Sequence, residues 1–121
     1  MKFASVADWL DAAADYLENH GWWRGALLGP NRNQSCAVGA ILFSADLDES
    51  QVQAPEVARA CQALMKAIDG SENIVLASGN VMTWNDDKER GARGKQHVLD
   101  TFRKAAKIER AGFDPDEGIT T

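Results

Sequence analysis

Two cysteines, two histidines and one aromatic–amide–carboxylate run are the residues on which chemistry could rest. Cys36 opens an apolar run that continues to Ala45. A thiol at a helix start lies among unpaired backbone N–H groups and the positive end of the helix dipole, which favour the thiolate. Cysteine hydrolases and transferases pair such a thiol with a histidine and with a group that orients the ring. His20 falls within about 20° of the apolar stripe of its own helix at 100° per residue, so it can face the core and Cys36. Asp86, or Asn85 beside it, would orient the imidazole. His97 lies about 140° from the apolar stripe of a later helix, among Arg103 and Lys104, and is read as pointing to solvent. The competing reading is structural. Cysteine is among the most buried residue types, and a histidine in a last turn is favoured there by the helix dipole.

Trp84-Asn85-Asp86-Asp87 also has two readings. Carboxylates beside an aromatic could hold a cation or a substrate. Alternatively Trp84 anchors the segment in the core while Asn85 and Asp86 bond to nearby backbone, as such side chains do in turns. Earlier in the chain, the run Trp22-Trp23-Arg24 consists of residue types enriched in binding hot spots. Metal and phosphate motifs fail on spacing. Asp46, Asp48 and Ser50 begin a calcium-loop pattern, but Gln51 and Val57 stand where glycine and glutamate are required. No cysteine or histidine pair has zinc spacing. Gly91-Ala92-Arg93-Gly94-Lys95 lacks the earlier glycine and the Ser or Thr of a phosphate loop. No metal and no cofactor is expected.

These residues need elements to position them. Ser5 suits the cap of a first helix, with Val6, Trp9, Leu10, Ala13, Tyr16 and Leu17 as its apolar stripe and Gly21 as its stop in the left-handed conformation. Ser35 to Ala45 is uncharged and apolar all round, which marks a central buried helix capped by Ser35. It is far too short to span a bilayer, which takes about 20 residues. Residues 22–28 are too apolar for an exposed loop, and residues 29–33 form a turn by composition. Asp46 to Gln53 reads as a polar link without periodicity. Pro55 opens a third helix that buries Val57, Cys61, Leu64, Met65 and Ile68 and ends at Gly70. Ser78-Gly79-Asn80 reads as a turn, and Val81 to Trp84 as a short extended or single-turn segment. The last helix runs from about Lys95 to Arg110, with Val98, Leu99, Phe102, Ala105 and Ala106 inward and Arg103, Lys104 and Lys107 outward.

The whole chain has 121 residues and a net charge of −5, which suits one domain with one core. The charge is uneven. Lys88 to Arg110 holds eight basic residues and three acids, a net of +5, which leaves the rest at −10. Such polarity implies an electrostatic contact within the chain, between copies in a homodimer, or with a partner. Nucleic acid is not expected, because the chain is acidic overall and its basic residues lack exposed aromatics between them. Asp8 precedes any apolar run of signal-peptide length, and both cysteines sit in apolar patterns, so a reduced cytosolic setting is expected.

Gly21-Trp22, Gly25-Ala26, Cys36-x-x-Gly39-Ala40 and Trp84-Asn85-Asp86, in this order, resemble a family of small actinobacterial and actinophage proteins, a domain of unknown function. The resemblance covers roughly Ala7 to Ile108. It implies a bacterial or phage cytosolic setting, and no activity, substrate or catalytic residue.

Together these readings predict an all-α protein. Residues 1–112 form a single small domain of about four helices around a buried central helix, with a short irregular or extended segment before Trp84. Residues 113–121 form a loose acidic tail. The function expected is that of a non-catalytic protein-interaction module, phage-encoded and acting on a host protein through Trp22, Trp23 and Arg24 or through Arg103, Lys104 and Lys107. The alternative is a small hydrolase or transferase using Cys36 with His20 and Asp86.

Overall fold

Helix α1 spans Val6–His20, and the Ser5 side chain caps it by accepting from the Asp8 N–H. The computed structural model describes residues 2–29 and 33–112; the expected acidic tail, 113–121, and part of the expected turn lie outside the described residues. α1 buries Trp9, Leu10, Ala13 and Leu17. Gly21 does end it at positive φ, but with ψ of 153° rather than in the left-handed helical region. The chain therefore leaves α1 extended, and Trp22 pairs with Ser35 in an isolated parallel bridge. The Trp23 N–H donates to the Ser35 carbonyl at 2.8 Å, and the Ser35 N–H to the Gly21 carbonyl at 3.1 Å. Ser35 is thus held by backbone and is not the cap expected of it.

Cys36 is the cap of helix α2, Ala37–Ser44, and its Sγ accepts from the Gly39 N–H at 3.3 Å. α2 buries every residue from Ala37 to Leu42. It packs against α1 and against the later helices α3, Pro55–Asp69, and α4, Ala77–Asp86. The Trp9 Nε1–H donates to the Ile41 carbonyl at 2.8 Å, which joins α1 to α2 inside the core. Asp46 to Gln53 is not wholly irregular: Glu49–Gln51 forms one 3-10 turn, closed by a capping box between Asp48 and Gln51. α3 starts at Pro55 and buries Val57, Cys61, Leu64 and Met65 as expected, with Ile68 partly buried.

Among the described residues there are five α-helices and no strand. The irregular segment before Trp84 is residues 70–76. Ser78-Gly79-Asn80 is not a turn, and Val81 to Trp84 is not extended: both lie within α4. Only five of its ten residues (Ala77, Ser78, Val81, Trp84, Asn85) are buried, a mixed polar face that hides the helical period. Helix α5, Lys95–Gly112, packs on both α1 and α3 and buries Val98, Leu99, Phe102, Ala105 and Ala106.

The acidic face of α1 and the basic face of α5 meet within one chain. Arg103 reaches Asp11 at 3.0 Å and Asp15 at 2.6 Å; Arg110 reaches Asp8 at 3.0 Å and Asp11 at 2.8 Å. Burial pushes the Asp11 carboxyl up, but hydrogen bonds and charge from Arg103 and Arg110 outweigh it and hold the group below its ordinary value. These pairs are half-exposed, so each adds at most about 1 kcal/mol. They bridge α1 and α5 on the outside of a contact that is otherwise apolar.

Gly39 is required by a close approach. A Cβ there would lie 2.5 Å from the Leu27 carbonyl oxygen, where loop 22–36 crosses α2. Gly79 in α4 has nothing within 4 Å. Gly39→Ala is therefore expected to destabilise the fold by about 1–3 kcal/mol through overpacking. Gly79→Ala is expected to stabilise it by about 0.5–1 kcal/mol through helix propensity. Urea unfolding of the two variants checks both signs.

Candidate functional site

Of the motif residues, Cys36, Gly39, Asn85 and Asp86 meet where α2, α4 and loop 22–28 come together; Ala40 is buried in α2, and Trp84 faces His97 on the other side of α4. Asn85 is at the centre. It is fully buried near the end of α4. Its Oδ1 accepts from the Trp22 Nε1–H at 2.6 Å and from the Ala37 N–H at 3.0 Å. Its Nδ2 donates to the Trp23 carbonyl at 3.1 Å and to Asp86 Oδ1 at 3.0 Å. A carboxamide has two acceptor sites and two donors, and all are filled. The Ala37 N–H belongs to the first turn of α2, so Asn85 also closes one of the donors that a helix start leaves open.

Asp86 extends the junction. Its Oδ1 accepts from the Gly25 N–H at 2.7 Å, which fixes the loop after the tryptophan pair. The Arg24 guanidinium lies 5.0 Å from the centroid of the Trp22 ring and donates from Nη2 to the Ala92 carbonyl at 2.6 Å. Trp22, Trp23 and Arg24 are each half-buried. The expected local bonds of Asn85 and Asp86 are thus long-range ones, to residues some 50–60 positions away in the chain. Asp87 alone bonds locally, accepting from the Glu89 and Arg90 N–H groups; those two bonds hold its carboxyl below the ordinary value.

Cys36 and His20 are not brought together. The Cys36 thiol is 3% exposed. Burial pushes its pKa up, the amides of Gly39 and Val38 offset only part of that, and the Asp86 carboxylate adds to the rise. The expected thiolate is therefore disfavoured. A cavity of about 80 Å³ beside it is lined by Gly25, Ala26, Leu27, Met82 and Asp86, without His20. Small-molecule sites are several times larger. His20 is exposed, stacks on Tyr16 with ring centroids 4.0 Å apart, and donates from Nδ1 to the Tyr16 carbonyl at 2.9 Å. Cys61 is deeper still, and burial pushes its thiol up to about 12.

Of the basic residues expected to meet a partner, Arg103 is committed to α1. Lys104 and Lys107 are exposed and make no ion pair among the described residues. Lys104 lines a larger cleft, of about 450 Å³, that also takes in Trp84, Arg90, Arg93, His97 and Thr101. The sequence reading missed this cleft because it placed His97 in solvent. His97 is half-buried and meets Trp84 edge-on, with ring centroids 5.6 Å apart. A helix packed on two neighbours buries a wider arc than one stripe. The i, i+4 pair of His97 with the buried Thr101, whose hydroxyl donates to the His97 carbonyl at 2.7 Å, was the available signal.

Among the described residues, no three histidine, cysteine or acidic side chains gather as a metal site requires, and no helix is long and apolar enough to cross a membrane. The fold and the junction define a small helical domain whose polar motif ties helix ends to a loop. Residues 1–108 match a family of unknown function, DUF6197, and the chain belongs to it. No curated protein and no solved structure matches the chain. The family match spans nearly the extent expected of the resemblance, Ala7 to Ile108, and names no activity.

Asn85→Ala is expected to leave the Trp22 indole N–H, the Ala37 N–H and the Trp23 carbonyl without partners. Each orphaned buried group costs about 1–3 kcal/mol. A loss of at least about 3 kcal/mol in denaturant unfolding is expected. A loss below about 1 kcal/mol would mean that water replaces the side chain at little cost.

Proposed function

We propose that the protein is a non-catalytic interaction module. One observation carries this reading: the groups that could do chemistry are already committed to holding the chain. Asn85 has no free donor or acceptor, Asp86 and Arg24 each hold the backbone of another segment, and Cys36 accepts from Gly39 in a buried place. General acid–base work needs a group that can reach a substrate proton; the carboxylate beside the thiol, Asp86, is held by the Gly25 N–H and the Asn85 side chain.

The surface supports binding instead. Ile74, Val75 and Leu76 stand together between α3 and α4 and are 43%, 82% and 59% exposed. They are the large apolar side chains that the described fold leaves to solvent, and aliphatic clusters of this kind mark contact sites when contiguous. The likeness of the motifs to small actinobacterial and actinophage proteins supports a bacterial cytosolic setting. It also supports a host protein as partner where the gene is phage-borne. The pairing of α1 with α5 inside one chain removes the main electrostatic reason for a homodimer.

Two measurements test the reading. Native alkylation by iodoacetamide should leave Cys36 unmodified at pH 7–9 and modify it only on unfolding. A fast reaction with a midpoint well below the free-thiol value of about 8.5 would return catalysis to consideration. A photo-reactive residue at position 75, expressed in cells of the source, should give one dominant adduct with another protein, and Val75→Asp should abolish that interaction without lowering the melting temperature. Absence of any specific adduct, with the fold intact, would reject this surface.

A further inference from the structure

The cleft between α3, the end of α4 and the first half of α5 has features that no part of the interaction reading uses. The protein is acidic, yet this cleft is lined by Arg90, Arg93 and Lys104 against one carboxylate, Asp100. Asp100 is itself engaged, accepting from the Gln96 Nε2–H at 2.8 Å. Most described basic side chains are paired or bonded to a carbonyl. The exceptions are Lys88, Arg90, Arg93, Lys104 and Lys107, none with an ion pair among the described residues. Three of these five line the same cleft. Across Gly91 an adjoining cleft, which Arg90 also lines, holds Asp69 and Asp87, so the carboxylates gather there and the cations on the His97 side.

Two of the cations, Arg90 and Arg93, sit on a loop that is fixed in advance. Gly91 and Ala92, between Arg90 and Arg93, are buried. The Gly91 N–H donates to the Asp87 carbonyl at 3.0 Å, and the Ala92 N–H to the Trp84 carbonyl at 2.8 Å. The Ala92 carbonyl accepts from Arg24 at 2.6 Å. A Cβ at Gly91 would collide with the Trp84 carbonyl, so the loop seats flush on the end of α4. His97 is also oriented. Its Nδ1 accepts from the Arg93 N–H at 2.9 Å, so the neutral ring carries its proton on Nε2, a donor with no described partner. Burial and the nearby Arg93 charge lower its pKa and favour that neutral form. A ligand that meets donors already in place loses less conformational entropy on binding.

We propose that this cleft binds the phosphate group of a small phosphorylated molecule. Arginine forks match phosphate oxygens in pairs, Lys104 adds a point charge, and His97 Nε2–H adds a directed neutral donor. The volume, about 450 Å³, falls in the range of small-molecule sites of about 300–1,000 Å³. The proposal goes beyond the non-catalytic reading and stands apart from it, adding a small ligand to the protein partner.

The probe is sodium pyrophosphate, titrated into the full chain at constant ionic strength and followed by calorimetry and by amide and imidazole NMR. Saturable one-to-one binding is expected, with shifts confined to residues 90–104 and to the His97 ring. Arg93→Gln and Lys104→Gln should each weaken it about tenfold. Lys107→Gln, on the same helix outside the cleft, should change it less than twofold. Non-saturable binding, or an equal effect of all three variants, would overturn the proposal in favour of diffuse counterion attraction. Phosphorus NMR of the same samples separates the two claims: hydrolysis of pyrophosphate at the cleft would sink the non-catalytic reading and keep the site, whereas absence of binding would sink the site and keep the reading.

Discussion

The four hydrogen bonds of the Asn85 side chain are the constraint on which the rest of this structure depends. Three of them join the end of α4 to the start of α2 and to the extended segment that leaves α1, 48 to 63 positions away; the fourth goes to the adjacent Asp86. None of these segments could be buried without such a partner, because each brings backbone or indole groups that must be satisfied. A carboxamide is the one common side chain with two acceptor sites and two donors and no charge. An aspartate would lack the donors and would stand beside Asp86; a leucine would leave every partner orphaned. No buried side-chain polar atom among the described residues lacks a partner, and at this junction Asn85 supplies the partners.

From that junction the remaining features follow by packing. Seating α2 on Asn85 places Cys36 as its cap and brings α2 under the Leu27 carbonyl, where only glycine fits at position 39. Fixing loop 22–28 lets Arg24 reach Ala92, and that contact holds the basic loop against the end of α4. The Cys-x-x-Gly and Trp-Asn-Asp motifs are thus two sides of one contact. Their chemistry-bearing residue types serve geometry, and the basic loop is what that geometry presents.

Much of the fold was legible because α1, α3 and α5 carry a clear apolar stripe, and because Ser5 and Gly21 bound α1 and Pro55 and Gly70 bound α3. Burial of α2 was legible from its lack of any charge. The cap of α2 was not, since Ser35 and Cys36 are both plausible there and the choice depends on the bridge between Ser35 and Trp22, a tertiary contact. α4 was missed because half of its residues face solvent and Gly79 interrupts the pattern. At the candidate site, the sequence could name Asn85 and His20 but could not tell what they touch: Asn85 bonds to partners 48 to 63 residues away, and His20 turns to Tyr16 instead of Cys36. The wheel of α5 misplaced His97 because it assumed one packing neighbour where there are two.

The most direct test is hydrogen exchange at the two donors that Asn85 accepts, the Trp22 indole N–H and the Ala37 amide. If the junction is the element that holds the fold, both should exchange only through global unfolding, with the same free energy as the core amides of α2 and α5. Exchange through a local opening several kcal/mol below the global value, with the helices still protected, would contradict this. It would mean that the helices stand on their apolar contacts alone and that Asn85 fills a gap between them.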